Sequence, residues 1–588
     1  MKHLLTVTFF IFSLVPAMAI SKEKTVTLKV IETSDVHGHF FPYDFIGNKP
    51  LKGTLSRVNT YVAKQRKEYG KNLLLIDNGD ILQGQPTCYW SNYVLPMQES
   101  IKSITISENI AASVINYMQY DAETVGNHDI ETGHGVYDKW IREVRCPMLG
   151  ANIVNKDNQQ PYIHPYALFE REGIKIAIIG MVTPAIPCWL NESLYQGLEF
   201  QEMVSCARKW VKHLKEVEHA DLIFGLFHSG LDGGITMENG IEEDATKRVA
   251  QEVDGFDAIF FGHDHQVHNI RLQNTKGEDV VCVDPSCYAQ NVAEVDIEIK
   301  LKKGKIISKN LVGKIVDVRN EEIDQQMVSH FQQQIDAIKQ YVNRRIGTFA
   351  NSMTTRDSYF GNSAFTDFIH EMQLRISHAD ISFNAPLSFD SRIEKGEVTV
   401  ADMFKLYRFE NNLYILKMTG KEILGHLEMS YDLWANTMTS PDDHLLLLNK
   451  RTQGDQQRMG FRNFTFNFDS AAGIDYEVDV RKPNGQKVKI LRMSNGEPFD
   501  INKTYNVVMN SYRGNGGGDL LIHGAGIPKD SLNSRIIYQS PLDLRHYLME
   551  EIERQGNVIP KAASNWKFIP EEWTIPAGKR DRKFIFNE

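Results

Sequence analysis

The stretch FDAIFFGHDH, residues 256–265, runs an unbroken apolar segment straight into a turn that carries two histidines and an aspartate. An apolar run of this length without alternation fits a strand buried on both faces of a sheet. The same arrangement recurs upstream. TVTLKVIETS (25–34) is followed by Asp35, His37 and His39, NLLLID (72–77) by Asn78 and Asp80, Val125 by Asn127, His128 and Asp129, and LIFGLF (222–227) by His228. IKIAIIGMV (174–182) and DVVCVD (279–284) are further runs of the same kind. Loops beyond the carboxyl ends of parallel strands gather on one side of an α/β sheet, so these residues are expected to converge in one crevice.

The residue types narrow the chemistry. Carboxylates mixed with imidazoles, with no CxxC pair, suit Zn, Mn, Fe or Co rather than an all-oxygen calcium cage. They outnumber one tetrahedral set, which points to two divalent ions sharing a ligand. Taken singly each motif is an ordinary polar turn; five in order, each behind a predicted strand, are a site. His39, His134 and His268 read as solvated side chains or partners of the ligands, and Asp129 and Asp264 as turn caps or partners of ligand imidazoles.

The 588 residues exceed one ordinary core and imply two or three domains. With 42% apolar and 24% charged residues the composition is that of a soluble globular protein. A formal net charge of -10 excludes a broad basic surface for a nucleic acid polymer but leaves room for a local cationic pocket. Residues 1–19 place Lys2 and His3 before LLTVTFFIFSLVPAMA, the pattern of a secretory signal, and the polar GKRDRKFIFNE lacks the apolar tail of a glycolipid anchor. The expectation is an exported protein, periplasmic or extracellular, with no membrane anchor. Cys88, Cys146, Cys188, Cys206, Cys282 and Cys287 could pair in an oxidising compartment, but their spacing selects no pairing.

The β-rich texture spans 25–318. Ile323, Met327, Phe331, Ile335, Ile338 and Val342 then predict one amphipathic connecting helix over 321–345. From 346 to 588 the pattern is α+β, with a polar surface loop over 436–457.

DVHG (35–38), NGD (78–80), VGNHD (125–129), LFHSG (226–230) and GHDH (262–265) resemble, in order, the five motifs of calcineurin-like metallophosphoesterases. Beyond residue 25 the chain is similar to the secreted 5'-nucleotidase and 2',3'-cyclic-nucleotide phosphodiesterase family. The resemblance implies an α/β fold: an N-terminal four-layer α/β/β/α sandwich, the connecting helix, and a C-terminal α+β substrate-binding domain that swings to carry substrate to the ions. It implies that Asp35, His37, Asp80 and His265 hold one ion, that Asp80, Asn127, His228 and His263 hold the other, and that His128 stabilises charge on the phosphoryl oxygens. Glu131 stands where family 5'-nucleotidases carry an Asp that orients this His, and where the cyclic-phosphodiesterase branch often has Asn. In the second domain Phe409 of RFEN and Tyr512 of NSYRGNGGGD match the aromatics that stack on a nucleobase. Asn411 matches a base contact, Asp519 a ribose contact, Arg375 a substrate-binding arginine and Asn384 of FNAPLSFDSRI a binding-site Asn. The activity implied is dimetal hydrolysis of nucleotide phosphoesters, as a 2',3'-cyclic-nucleotide 2'-phosphodiesterase and 3'- or 5'-nucleotidase, in a monomer or dimer. The alternatives are a strict 5'-nucleotidase, a nucleotide-sugar hydrolase, or a catalytically silent nucleotide-binding protein.

Overall fold

The computed structural model describes residues 23–102, 107–237, 239–449 and 460–588. The expected signal at 1–19 and the end of the 436–457 loop lie outside these residues. Two six-stranded sheets dominate the first half. One runs Lys305–Asp317, Asn291–Lys302, Lys24–Thr33, Leu73–Asp77, Ala122–Thr124, Met148–Leu149. The other runs Val267–Gln273, Asp279–Pro285, Ala258–Phe261, Leu222–His228, Ile174–Val182, Tyr166–Arg171. Their central neighbours are parallel.

The sheets face each other across one core, in which Leu28, Val30, Leu74 and Ile76 of the first pack with Ile176, Ile178, Phe224, Leu226 and Phe260 of the second. On the outer face of the second sheet, Ala177, Ile179 and Phe227 pack under the helices Met203–Glu216 and Thr246–Glu252 through Ala207, Val211, Leu214 and Val249. On the outer face of the first, Ile31, Leu73 and Leu75 meet the helices Leu55–Tyr69 and Ile110–Met118 through Val58, Val62 and Ile115. The result is the four-layer α/β/β/α sandwich, and it brings the carboxyl ends of both sets of parallel strands to one rim.

The connector differs from the single helix expected over 321–345. It is two helices, Gln325–His330 and Gln332–Val342. Asp324 starts the first by accepting from the Gln326 and Met327 amides, and Phe331 breaks the run with φ -97 and ψ 12. The break has a packing cause, because the buried Phe331 ring sits 5.5 Å from Phe41 and 5.7 Å from Tyr117.

The second half is built on a five-stranded sheet ordered Ser470–Ala472, Ile381–Asn384, Thr504–Asn510, Asn412–Thr419, Ile536–Asp543. One apolar core runs from the first sheet through the connector to Phe404, Leu406, Leu544 and Leu548 of this domain. Arg545, fully buried, lies 4.0 Å over the Phe404 ring and 4.9 Å over Tyr89 of the first domain, and Tyr89 donates to Asp543 at 2.8 Å. All six cysteines are free thiols.

Candidate active site

Each expected ligand stands at or just beyond the end of a core strand. Asp35 and His37 follow Lys24–Thr33, Asp80 follows Leu73–Asp77 and Asn127 follows Ala122–Thr124. His228 ends Leu222–His228, and His263 and His265 follow Ala258–Phe261. Asp35, His37, Asp80, His263 and His265 all have φ between 49° and 82°, the left-handed region that L-residues avoid. Close packing holds the turns in this conformation: a Cβ on Gly126 would collide with the Asp80 carboxylate, and one on Gly262 with Ser34 Oγ and the Asp35 carboxylate.

All of these groups except His263 converge as two overlapping sets, while the His263 ring stands 5.3 Å from that of His228 with its Nε2 turned to Glu243. His265 Nε2 lies 3.2 Å from Asp35 Oδ1 and 3.2 Å from His37 Nε2. His228 Nε2 lies 3.3 Å from Asp80 Oδ2, 4.0 Å from Asp35 Oδ1 and 3.2 Å from Asn127 Oδ1. Asp80 Oδ2 is also 3.9 Å from His37 Nε2, which puts this oxygen between the two sets.

These residues fit divalent cations. His37 Nδ1 donates to Gln83 O at 3.0 Å and His228 Nδ1 to Asn78 O at 2.7 Å, so in each neutral ring Nε2 is the lone-pair nitrogen turned into the cluster. Burial holds His37 down at about 3, whereas at His228 burial is outweighed by the Asp80 and Asp35 charges, which raise it to about 9 and which a bound cation would neutralise. Asp35 Oδ1 is buried with no hydrogen-bond donor. A tetrahedral ion bound to two imidazoles would hold their nitrogens about 3.4 Å apart, close to the His37–His265 spacing.

His128 stands beside this cluster, its ring 5.6 Å from that of His37. Its Nδ1 donates to Glu131 Oε2 at 2.7 Å, and Gln83 Nε2 donates to the same oxygen at 3.0 Å. Burial pulls the His128 imidazole down, but the Asp80 charge and the Glu131 hydrogen bond outweigh it and raise it to about 9. Asp129 accepts four backbone amides, from Asp80, Ile81, Leu82 and Gly126, at 2.8–2.9 Å, and so ties two ligand turns together.

The second domain presents most of its expected contacts at one end of its sheet. Asn384 closes Ile381–Asn384, parallel to Thr504–Asn510, and the Asn412 amide donates to Ser511 Oγ at 3.1 Å. Phe409, Asn411 and Tyr512 therefore share this end. Tyr512 packs edge-on to Phe466 at 6.0 Å, and both amide atoms of the buried Asn384 lack partners. Asp519 is exposed in the same Gly-rich loop, at φ 61°. This end faces the ligand turns: Arg408 donates to Tyr288 OH at 3.1 Å, Tyr288 lies 5.7 Å from the His37 ring, and Asn515 donates to Trp189 O at 3.4 Å.

Arg375 is placed elsewhere. It is clamped by Glu371 at 2.6 Å and Glu551 at 2.5 Å. Glu551 lies six residues along the helix Leu544–Gln555 from Arg545, which holds the Phe409 loop, or about 9 Å at helical rise. His39 stacks on Tyr288 at 4.8 Å, His134 pairs with Asp138 at 3.1 Å and His268 with Asp264 at 3.3 Å. One neighbour had no sequence signal: Glu243 accepts from His263 Nε2 at 2.9 Å.

Comparisons with known proteins agree with this geometry. Residues 28–267 match the family described as calcineurin-like phosphoesterase, and residues 345–522 the 5'-nucleotidase, C-terminal domain. The chain is 26% identical over 616 residues to the 2',3'-cyclic-nucleotide 2'-phosphodiesterase/3'-nucleotidase of Haemophilus influenzae, covering 94% of this chain and 89% of that protein. It is 27% identical over 604 residues to the trifunctional nucleotide phosphoesterase protein YfkN of Bacillus subtilis, covering 93% of this chain but only 39% of that longer protein. The solved 5'-nucleotidase precursor of Thermus thermophilus shares the fold, with TM-score 0.61 and 20% identity over 93% of this chain and 100% of that one. The two family matches, in this order along the chain and on this double sheet, make the protein a member of the calcineurin-like metallophosphoesterases that carry a 5'-nucleotidase C-terminal domain.

Proposed function

We propose that the protein hydrolyses nucleotide phosphoesters, with 2',3'-cyclic nucleotides and 3'-nucleotides as its main substrates. The observation that carries this reading is the facing of two groups across the domain boundary: Phe409, Asn411 and Tyr512 on one side, the carboxylate and imidazole cluster on the other. A base stacked on the aromatics would leave its phosphate towards the ligand turns. The names of the relatives favour the cyclic and 3' substrates.

Asp35, His37, Asp80 and His265 would hold one divalent cation and Asp80, Asn127, His228 and His263 the other. When bound, such a pair supplies Lewis-acid activation of water and charge neutralisation at the phosphoryl oxygens. The chain's own groups do the rest. His128, charged and oriented by Glu131, donates to a phosphoryl oxygen as negative charge grows there. The aromatics fix the base and hence the line of attack.

Phosphate release from 2',3'-cyclic AMP, 3'-AMP, 5'-AMP and a sugar phosphate, with Mn or Zn added and then chelated, tests the reading. Chelator-sensitive turnover of the first two supports it; dominant 5'-AMP hydrolysis overturns the substrate preference, and no turnover of any nucleotide overturns the whole. His128→Ala is expected to lower kcat by about 10²–10³-fold. Its metal content, measured by elemental analysis, stays that of the wild type. Phe409→Ala or Tyr512→Ala is expected to raise KM by about 5- to 150-fold, the equivalent of one lost stack, with a smaller change in kcat.

No helix among the described residues is long and apolar enough to cross a membrane. The pattern of residues 1–19 supports export, which fractionation of cells expressing the full chain would check.

A further inference from the structure

We propose that Glu243 is the positioning residue that fixes His263 as a ligand of the second cation, a role that rests on the two-cation reading above. Glu243 stands on the short strand Glu242–Asp244, paired with Gly233–Thr236 in a hairpin. Its carbonyl accepts from Thr183 Oγ1 at 2.9 Å and Ser229 Oγ at 3.0 Å. These hydroxyls follow the core strands Ile174–Val182 and Leu222–His228, so the hairpin is stapled across the carboxyl ends of two neighbouring strands. The adjacent Asp244 accepts from the Gly230 amide at 2.7 Å.

The carboxylate is then held from behind. Its Oε2 accepts from the Ile235 amide at 2.6 Å, which leaves Oε1 to accept from His263 Nε2 at 2.9 Å. Both side chains are largely buried, 12% and 13% exposed, so water competes weakly for this bond. A carboxylate oxygen only accepts, so Nε2 carries a proton, and in the neutral ring that a cation needs Nδ1 is the lone-pair nitrogen. This is the opposite tautomer from His37 and His228, whose Nδ1 atoms donate to main-chain carbonyls.

The difference matters for how each ligand is secured. His37 and His228 are oriented by backbone, which no substitution removes. His263 is oriented by a side chain, and its own backbone sits at φ 82°. Its amide donates to Asp35 Oδ2 at 3.0 Å, which fixes the turn but not the ring, and the ring lies 5.3 Å from His228 and 5.9 Å from Trp189. A carboxylate partner on the far nitrogen sets ring orientation and raises ligand basicity, and loss of such a partner lowers metal affinity by about 10- to 100-fold.

The test is binding of Mn and of Zn, each alone, to the full chain by calorimetry and elemental analysis after chelation. The wild type is expected to take up two equivalents. Glu243→Ala is expected to keep one equivalent at wild-type affinity and to bind the other about 10- to 100-fold more weakly. Glu243→Gln, whose amide oxygen accepts the same proton, is expected to weaken it less, and it carries the test if the Ala variant does not fold. Raising the metal concentration restores kcat in both variants with KM for nucleotide unchanged. Two wild-type-affinity equivalents in Glu243→Ala overturn the proposal, and so does equal weakening of both or a wild type with fewer than two. A wild type that binds two equivalents but releases phosphate from no nucleotide overturns the substrate reading and leaves the role of Glu243 standing.

Discussion

Replacing Asp80 with Asn is expected to cut phosphoester hydrolysis by at least about 10³-fold. The substitution keeps the shape of the side chain and removes its charge. In the wild type Asp80 Oδ2 faces both imidazole sets, at 3.3 Å from His228 Nε2 and 3.9 Å from His37 Nε2, while Oδ1 accepts from the His128 amide at 2.8 Å. Burial alone would raise this carboxyl, but His228 and His128 outweigh it and hold it well below the usual carboxylate range. An anion so placed would serve both proposed cations at once, so affinity for each is expected to fall together when it is neutralised. Elemental analysis alongside kcat checks this. Loss of turnover with two equivalents still bound would move Asp80 out of the bridging position.

Asp129→Ala is expected to destabilise the first domain by about 3–5 kcal/mol and to abolish activity without touching a ligand. Asp129 is wholly buried, and its two oxygens collect the amides of Asp80, Ile81, Leu82 and Gly126. Alanine strands those donors where water cannot reach them. The turns they belong to position Asp80 and Asn127. The first thermal transition should fall by about 6–20 °C, read by circular dichroism with saturating metal. A variant with an unchanged melting temperature and lost activity would mean that Asp129 acts on the chemistry and not on the turns.

The contrast between Asp129 and Glu243 marks what a sequence can disclose here. Asp129 sits inside a motif, two residues from Asn127, and its capping of a Gly-led turn is a local event. Glu243 lies in an acidic run, Glu242-Glu243-Asp244, that reads as a solvated turn, and its partner is twenty residues away on the far side of a helix and a strand. The strand-end pattern is readable because buried strands need uninterrupted apolar runs and the carboxylates and imidazoles interrupt them at their ends. The break at Phe331 is not, because its apolar spacing suits one helix and only the Phe41 and Tyr117 rings show where Phe331 must go. Arg375 carries a visible counter-signal: Glu371 precedes it by one helical turn, the spacing at which opposite charges pair.

The first sheet also constrains when the protein can fold. Lys24–Thr33 pairs along almost its whole length with Asn291–Lys302, from Lys24 opposite Leu301 to Glu32 opposite Ala293. Closing that pairing joins segments roughly 270 residues apart, a high-contact-order step whose loop entropy must be met before any contact rewards it. At ribosomal rates the partner strand emerges on the order of 10 to 60 s after the first. During that interval Val26, Leu28 and Val30 wait without their sheet neighbour, a long apolar edge open to chaperones and to aggregation. Asp35 and His37 hang from this first strand, so the rim they belong to lacks the flank supplied by Asn291–Lys302 until that long-range pairing closes.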